Sequence, residues 1–330
     1  MKSVLLIGGS GYVGNVIAEY LLNQNYKVFI FDNFIYNHDF SNEHLINLNN
    51  YKFIKGDIRN MSPLNDVINE IDSVVLLAGL VGDPITKKYP ELSLSINSNG
   101  VQDCIDYFDE KKIQNLIFIS TCSNYGLIKE NELADENFQL NPLSLYAEAK
   151  VEAEKYLLNK KNKVGYAATI LRFATAFGLS HRMRFDLSIS EFVRDLYFGS
   201  ELNVFDEHTW RPYCHVRDFA CLIELVMTAE KDKVDFQVFN AGGEKNNFTK
   251  KMIVDTIVKY IPDAKIRYGS NGSDPRNYKV SFEKVKKVLG FEPRYTIEDG
   301  ISELIISLKL GVYNESFENK NKFGNYEIKN

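Results

Sequence analysis

The sequence predicts an α/β fold, with a doubly wound parallel sheet followed by a smaller C-terminal lobe. Short apolar segments alternate with segments of helical periodicity through the first half of the chain, which is typical of parallel strands joined by helices. A glycine-rich turn directly follows the first apolar segment. We expect strands near residues 3–7, 27–31, 51–54, 73–78, 115–120 and 166–171, and helices near residues 12–24, 63–70, 90–109 and 145–160.

The glycine-rich turn has the sequence Gly8-Gly9-Ser10-Gly11-Tyr12-Val13-Gly14. A strand that turns through glycines into a helix directs free backbone N–H groups and the positive end of the helix dipole at one point, where a pyrophosphate binds well. Gly8 permits the tight turn, Gly11 lets the backbone approach the phosphates, and Gly14 lets the helix pack close to the strand. The turn, including Tyr12 and Val13, therefore predicts a dinucleotide site; a glycine turn without a ligand is the alternative.

Asp32 ends the second predicted strand, eighteen residues after Gly14. A carboxylate at this place can accept hydrogen bonds from both hydroxyls of an adenosine ribose, and it repels the 2′-phosphate of NADP. Residues 33–37 contain no arginine that would bind that phosphate. The sequence therefore predicts NAD as the cofactor, with Asn33 beside the ribose.

Other cofactor contacts are expected where the third and fourth strands end, because ligands of such sheets bind at the carboxyl ends of the strands. We expect Asp57 and Ile58 near the adenine. Leu77, Ala78 and Gly79 are expected where the backbone passes close to the cofactor. A plain turn or a helix cap is the alternative interpretation of Asp57.

Tyr146 and Lys150 are four residues apart on a predicted helix, so one helical turn brings both side chains to the same face. The ordinary pKa of a tyrosine is about 10, but a neighbouring ammonium and a positive nicotinamide both stabilise the phenolate. Tyr146 is therefore a candidate general base. Thr121, at the end of the fifth strand, can bridge a substrate hydroxyl to Tyr146. A solvated helix without function is the alternative for this spacing, but the glycine turn, Asp32 and Thr121 argue against it.

The charge, the apolar segments and the cysteines of the chain exclude several classes of binding partner. The net charge of −5 argues against nucleic acid as the main partner. The sequence shows no secretion signal and no apolar stretch long enough to span a bilayer, so we expect a cytoplasmic protein without a membrane partner. The four cysteines form no C-x-x-C pair, which favours reduced thiols, and we predict no metal site.

The second half of the chain has a looser pattern. We expect residues 1–175 to form the NAD-binding domain and residues 176–330 to form mainly the substrate-binding lobe, with elements near 205–245 returning to the first domain. Residues 315–330 are rich in Asn, Lys and Glu, which predicts a loosely held tail.

With these motifs, the chain resembles the extended short-chain dehydrogenases/reductases of the NAD-dependent nucleotide-sugar epimerase and dehydratase family. The resemblance runs through nearly the whole chain and rests on Gly8, Gly11, Gly14, Asp32, Gly56-Asp57, Thr121, Tyr146 and Lys150. It implies a Rossmann-type fold, a tightly held NAD and a nucleotide-diphosphate sugar bound in the C-terminal lobe. It also implies a homodimer or a dimer of dimers, paired through the helices near 90–109 and 145–160.

The same resemblance implies hydride transfer from C4 of the sugar to the nicotinamide. Tyr146 would remove the hydroxyl proton, while Lys150 would hold the nicotinamide ribose and lower the pKa of Tyr146. Arg211 matches the family position that grips the pyrophosphate of the substrate, and Asp274-Pro275-Arg276 resembles a second arginine site. Pairing of either arginine with surface carboxylates such as Asp206 or Glu207 is the alternative. The remaining substrate contacts that we expect are Val81, Ser123, Thr175 and Arg184, with Thr175 in the place of an asparagine found in many relatives.

The residues after Thr121 bear on the type of reaction. The 4,6-dehydratases have an Asp-Glu pair there, whereas this chain has Cys122 and Ser123, so dehydration is not expected. The 3,5-epimerases have a cysteine base at the position of Ser123, and strand alternation directs Cys122 to the opposite side, into the core.

Two enzymatic outcomes therefore stay open, a 4-epimerase and a net C4 dehydrogenase or reductase. Residues 81–84, 182–186 and 210–212 resemble those of bacterial GDP-heptose C4 dehydrogenases of surface-polysaccharide synthesis. A non-catalytic NAD(H)-sensing protein is a third interpretation, which the presence of Thr121, Tyr146 and Lys150 disfavours.

Overall fold

The computed structural model describes residues 1–129, 132–270, 272 and 276–328. Its strands are β1 (Ser3–Ile7), β2 (Lys27–Asp32), β3 (Tyr51–Lys55), β4 (Ser73–Leu76), β5 (Asn115–Thr121), β6 (Ala167–Phe173), β7 (Thr175–Phe177), β8 (Leu202–Phe205), β9 (Trp210–His215), β10 (Gln237–Ala241), β11 (Asn247–Thr249) and β12 (Ile266–Gly269). Its α-helices are α1 (Tyr12–Asn23), α2 (Asp83–Lys88), α3 (Pro90–Ser93), α4 (Val101–Tyr107), α5 (Leu145–Leu158), α6 (Ser188–Tyr197), α7 (Val216–Thr228), α8 (Lys231–Val234), α9 (Lys250–Val258), α10 (Glu283–Leu289) and α11 (Ile297–Lys309).

A seven-stranded parallel sheet, in the order β10-β6-β5-β4-β1-β2-β3, forms the centre of the molecule. Strands β1, β4 and β6 are buried along their whole length, as expected for parallel strands covered by helices on both faces. On one face α1 packs against α7, and on the other α5 packs against α4. The predicted α/β fold with a doubly wound parallel sheet is confirmed.

The order of the strands reverses between β3 and β4, because β4 returns to the other side of β1, which therefore lies between β2 and β4. Leu5 pairs with Phe29 on one side and with Val74 on the other, and all three are fully buried. This order places the carboxyl ends of β1, β2, β4 and β5 beside one another at one edge of the sheet, where the glycine turn, Asp32 and Thr121 lie.

The lobe beside this edge is built from the second half of the chain. It contains a three-stranded sheet, β11-β9-β7, and the pair β12-β8. Its core includes apolar residues from α6, α9 and α11, and strand β10 returns from this half of the chain to the central sheet. Within the described residues, no helix combines the length and apolar character needed to cross a bilayer.

Two expected helices differ from the structure. The one near 63–70 is wrong, because two short 3₁₀ helices, Ser62–Leu64 and Ile68–Glu70, occupy this segment. Leu64, Val67 and Ile71 are buried, and tight turns of three residues are sufficient to bury apolar side chains with this spacing. The helix near 90–109 is present as α3 and α4 joined by a π-helical segment, Leu94–Gly100.

The expectation of a loosely held tail is wrong for the described residues 315–328. Phe323 is buried between Phe185 and Tyr313, at centroid distances of 6.2 and 5.7 Å, and its carbonyl accepts a 2.7 Å hydrogen bond from the Phe185 amide. Residues 315–328 are mostly polar, but the buried aromatic ring of Phe323 packs against the lobe and holds this segment in place. Residues 329 and 330 lie outside the described residues.

Candidate active site

The carboxyl ends of β1, β2, β4 and β5 open into one cavity of about 740 Å³. The residues predicted from the sequence for cofactor and substrate line it together, although their contacts with ligands stay predictions. From the cofactor set, these are Gly8, Gly11, Tyr12, Val13, Gly14, Asp32, Asn33, Asp57, Ile58, Leu77, Ala78, Gly79, Tyr146 and Lys150. From the substrate set, they are Val81, Thr121, Ser123, Thr175, Arg184, Arg211 and Arg276, while Asp274 and Pro275 of the predicted motif lie outside the described residues.

The glycine turn forms a cradle at the base of the cavity. Gly8 has a φ of +81°, and a Cβ on it would meet the Ala78 backbone at 2.7 Å, so the turn and its approach to β4 both require glycine. A Cβ on Gly14 would lie 2.7 Å from Gly9 Cα. On Gly11, by contrast, a Cβ would meet only the Gly8 carbonyl at 3.5 Å. Because no side chain caps the first turn of α1, its N–H groups point into this open space, which fits the pyrophosphate of NAD.

Asp32 lies at the far side of the cradle and is 8% exposed. Its Oδ2 accepts a 3.0 Å hydrogen bond from the Ser10 amide, and its Oδ1 accepts one of 2.9 Å from the Phe34 amide. Burial raises the pKa of Asp32, and these backbone N–H groups oppose the rise. The carboxylate is therefore held in a fixed orientation, with capacity left to accept hydroxyl donors.

Asp32→Ala is expected to weaken NAD binding by roughly 1.5–3 kcal/mol, because hydrogen bonds to a charged group are lost, and to affect NADP binding less. Equilibrium titration with both dinucleotides measures this change. Asp39→Ala, at an exposed neighbouring carboxylate, is the control. A wild-type protein that binds NADP more tightly than NAD would contradict the role given to Asp32.

The surroundings of Asp32 contain two residues that the sequence analysis did not assign to the cofactor. His38 Nε2 lies 3.7 Å from Asp32 Oδ1, and burial lowers the pKa of His38 to about 3, so its imidazole is neutral near pH 7. Arg182 is 1% exposed, and burial lowers its pKa to about 10. It donates to the Gly324 carbonyl and to Asn325 Oδ1, both at 3.1 Å, and thereby fixes the C-terminal segment at the cavity.

Helix α5 presents Tyr146 and Lys150 to the cavity. It begins after Ser144, whose hydroxyl accepts a 3.3 Å hydrogen bond from the Ala147 amide. Lys150 Nζ donates a 2.7 Å hydrogen bond to the Ile119 carbonyl and lies 6.0 Å from the centroid of the Tyr146 ring. Burial lowers the pKa of Lys150 to about 8, while the Glu154 carboxylate opposes this shift.

Lys150 is not among the principal groups that shift the pKa of Tyr146 in this structure. Burial raises this pKa above its ordinary value, and the principal cations that oppose the rise are Arg184 and Arg276. The cost of placing a phenolate in the cavity wall therefore exceeds the stabilisation that Arg184 and Arg276 supply.

One turn beyond Lys150, Glu154 anchors α5 to the sheet. Its carboxylate is 2% exposed and forms an ion pair with Arg172 of β6, at 2.7 Å between Oε2 and Nη2. Its Oε1 also accepts a 2.9 Å hydrogen bond from Asn124 Nδ2. Glu154 is not among the residues predicted from the sequence, although its spacing of four residues from Lys150 extends the stripe on α5 that begins at Tyr146.

Thr121 lies at the end of β5, and its hydroxyl accepts a 3.1 Å hydrogen bond from the Ser123 amide. The following Cys122 does not line the cavity: its thiol is buried and donates to the Arg172 carbonyl at 3.1 Å. The interpretation of Cys122 as a core residue is confirmed. Burial raises the pKa of this thiol, which makes it a poor base.

The predicted substrate arginines lie on the lobe side of the cavity. Arg211 Nη1 donates a 2.8 Å hydrogen bond to the Trp210 carbonyl, and its guanidinium lies 5.0 Å from the Tyr278 ring centroid. Arg184 and Arg276 contact Asp186 and Asp83, respectively, and both carboxylates also line the cavity. The lining further includes residues without a local motif that could have revealed them, such as Tyr36, Glu191, Tyr213, Tyr278, Asn325 and Tyr326.

Comparisons with known proteins identify the family of this chain. The model of the NAD dependent epimerase/dehydratase family matches residues 4–242. UDP-glucuronate 4-epimerase of Thermodesulfobacterium geofontis is 25% identical over 317 residues, which cover 92% of this chain and 95% of that protein.

Solved structures share the fold. The dTDP-glucose 4,6-dehydratase of Bacillus anthracis, in complex with NAD, has a TM-score of 0.82 and 25% identity, covering 97% of this chain and 98% of that chain. The UDP-glucuronic acid 4-epimerase of Bacillus cereus, in complex with UDP-glucuronic acid and NAD, has a TM-score of 0.82 at 22% identity, covering 93% and 99%. NAD as the cofactor is confirmed. The chain is an enzyme that belongs to the NAD dependent epimerase/dehydratase family.

Proposed function

We propose that this enzyme oxidises C4 of a nucleotide-diphosphate sugar. The observation that supports this most is the position of Thr121, Tyr146 and Lys150 in the same cavity as the glycine turn and Asp32. A proton acceptor and a dinucleotide site that share one cavity are what the oxidation of an alcohol requires.

In this proposal, Tyr146 accepts the proton of the C4 hydroxyl, and Thr121 holds that hydroxyl in line with the tyrosine. Bound NAD supplies a hydride acceptor and a positive charge beside the phenolate. Lys150 is fixed by the Ile119 carbonyl, so its ammonium has a defined position from which to bind a ribose hydroxyl and stabilise the phenolate. Arg211, on the lobe side, binds the pyrophosphate of the substrate.

For the net reaction, we propose a C4 dehydrogenase of a GDP-sugar such as GDP-heptose, which would act in surface-polysaccharide synthesis. Val81, Arg184 and Asp186, from the segments that carry this resemblance, line the cavity. A 4-epimerase is the alternative, which the names of the relatives favour. Dehydration is disfavoured because Cys122 lies in the core and Ser123 cannot replace a carboxylate.

The test is a panel of GDP-, UDP-, CDP- and dTDP-sugars added to the purified holoprotein, with NADH absorbance and products followed together. Accumulated NADH with a 4-keto sugar supports the dehydrogenase. A C4 epimer without net NADH supports the epimerase. No change with any sugar, while NAD stays bound, contradicts C4 oxidation and favours the NAD(H)-sensing alternative.

We also propose that the chain forms a homodimer, or a dimer of dimers, through α4, α5 and the π-helical segment Leu94–Gly100 that precedes α4. Leu94 and Leu145 on these elements are 60% and 45% exposed. Pairing in a second copy would bury them. Sedimentation at micromolar concentration is expected to give at least the dimer mass, and Leu94→Glu should reduce it. Leu310→Glu, at an exposed leucine directly after α11, is the control. A monomer mass for the wild type would contradict the proposal.

A further inference from the structure

Two internal ion pairs line the cavity that Tyr146 also lines. Arg184 contacts Asp186 through two bonds, Nε to Oδ1 at 3.0 Å and Nη2 to Oδ2 at 2.6 Å. Arg276 Nη2 lies 3.2 Å from Asp83 Oδ2. Asp83, Arg184 and Arg276 all act electrostatically on Tyr146. Each of these two arginines therefore faces a carboxylate of its own chain, and the two pairs together carry no net charge.

These pairs lie in a poorly solvated part of the cavity. The side chains of Arg184 and Asp186 are 9% and 15% exposed, and those of Arg276 and Asp83 are each 21% exposed. Charges at such depth are little screened by salt. A sugar carboxylate entering here would lie near Asp83 and Asp186, and it could pair with Arg184 or Arg276 only by displacing the aspartate that each already contacts. Displacement would leave a buried carboxylate without its partner, which is costly.

Asp83 also offers an acceptor that a neutral sugar can use. Its Oδ1 is buried and accepts no hydrogen bond from the part of the chain that the structure describes. Because Asp83 lines the cavity, a sugar hydroxyl that reaches its carboxylate can donate a hydrogen bond to it. The hydroxyls of Ser123 and Tyr278, 3.4 Å apart, lie beside Arg276 and add uncharged partners for a polyhydroxylated ring.

We propose that Asp83, supported by Asp186, makes the site selective for nucleotide sugars whose sugar ring is uncharged and hydroxylated, and that it rejects uronic acids. This inference rests on the proposed oxidation of a nucleotide sugar. It names the substrate class within that function, and it assigns to Asp83 a role in specificity.

The test compares two substrates that differ only at C6, with the nucleotide that the panel selects: UDP-glucose with UDP-glucuronate, or GDP-mannose with GDP-mannuronate. Equilibrium binding to the NAD-loaded protein and kcat/KM are both measured. Because a like charge in a desolvated contact costs several kcal/mol, the wild type should bind the neutral sugar at least about tenfold more tightly. Asp83→Asn should reduce this preference about tenfold, chiefly by improving KM for the uronate.

Two further variants serve as a second test and as a control. Asp186→Asn should shift the preference in the same direction, which keeps the proposal testable if Asp83→Asn does not fold. Glu201→Gln removes one charge from a surface ion pair with Arg267 and should leave the preference unchanged.

The outcomes separate this inference from the function on which it rests. Selective binding of the neutral sugar without any NAD reduction would support the selectivity and contradict C4 oxidation. NAD reduction with equal or better use of the uronate would overturn the selectivity alone, as would an unchanged preference in both aspartate variants. Failure of the wild type to bind either nucleotide sugar would overturn both.

Discussion

Tyr146→Phe should bind NAD and retain its fold but lose almost all transfer of hydride from the sugar. The variant removes only the hydroxyl, and general base catalysis contributes roughly two to four orders of magnitude in rate. Single-turnover reduction of bound NAD measures the loss. In the wild type, the rate should rise with pH, because burial raises the pKa of Tyr146 and more phenolate forms as pH increases. This rise should be absent in the variant.

A tyrosine elsewhere in the cavity provides the matched control. Tyr36 also lines the cavity, with its ring centroid 5.9 Å from the Arg182 guanidinium, and has no role in the proposed proton transfer, so Tyr36→Phe should keep the pH-dependent rate of the wild type. Reduction of NAD by Tyr146→Phe at the wild-type rate would show that another group accepts the proton.

Glu154→Ala should destabilise the protein by about 3–5 kcal/mol, because removal of one partner leaves the Arg172 guanidinium as an uncompensated buried charge. The ion pair joins α5 to β6, and α5 carries both Tyr146 and Lys150, so NAD reduction should also slow in the folded fraction. Urea denaturation monitored by circular dichroism measures the free energy of unfolding.

The control for this prediction lies on the same helix. Glu152 is exposed, so Glu152→Ala should change the free energy of unfolding by no more than about 0.5 kcal/mol. Equal stability of Glu154→Ala and the wild type would contradict the view that this ion pair anchors the helix.

The central sheet could be predicted because its signals are local in the sequence. Each buried strand is a short apolar run, and Gly14 is required by its contact with Gly9 within a single strand-turn-helix unit. The positions of Tyr146 and Lys150 on one helical face follow from their spacing alone. Cys122 could be assigned to the core by strand alternation for the same reason.

Other features depend on contacts between distant parts of the chain. No arginine lies in residues 33–37, yet the fold brings the buried Arg182 close enough to act on Asp32. The C-terminal segment has a polar composition, but Arg182 binds its backbone at Gly324 and thereby makes it part of the cavity wall. The raised pKa of Tyr146 likewise results from burial, which sequence spacing does not reveal.

The central claim is that the enzyme takes a hydride from C4 of the sugar, and isotope transfer tests it most directly. The nucleotide sugar selected by the panel is prepared with deuterium at C4, and separately at C3 and at C5, and is mixed with the NAD-loaded protein in a single turnover. We expect deuterium on the reduced cofactor, and a slowed reduction of NAD, only with the C4 label. Deuterium arriving from C3 or C5, or reduction of NAD without transfer from C4, would contradict the account.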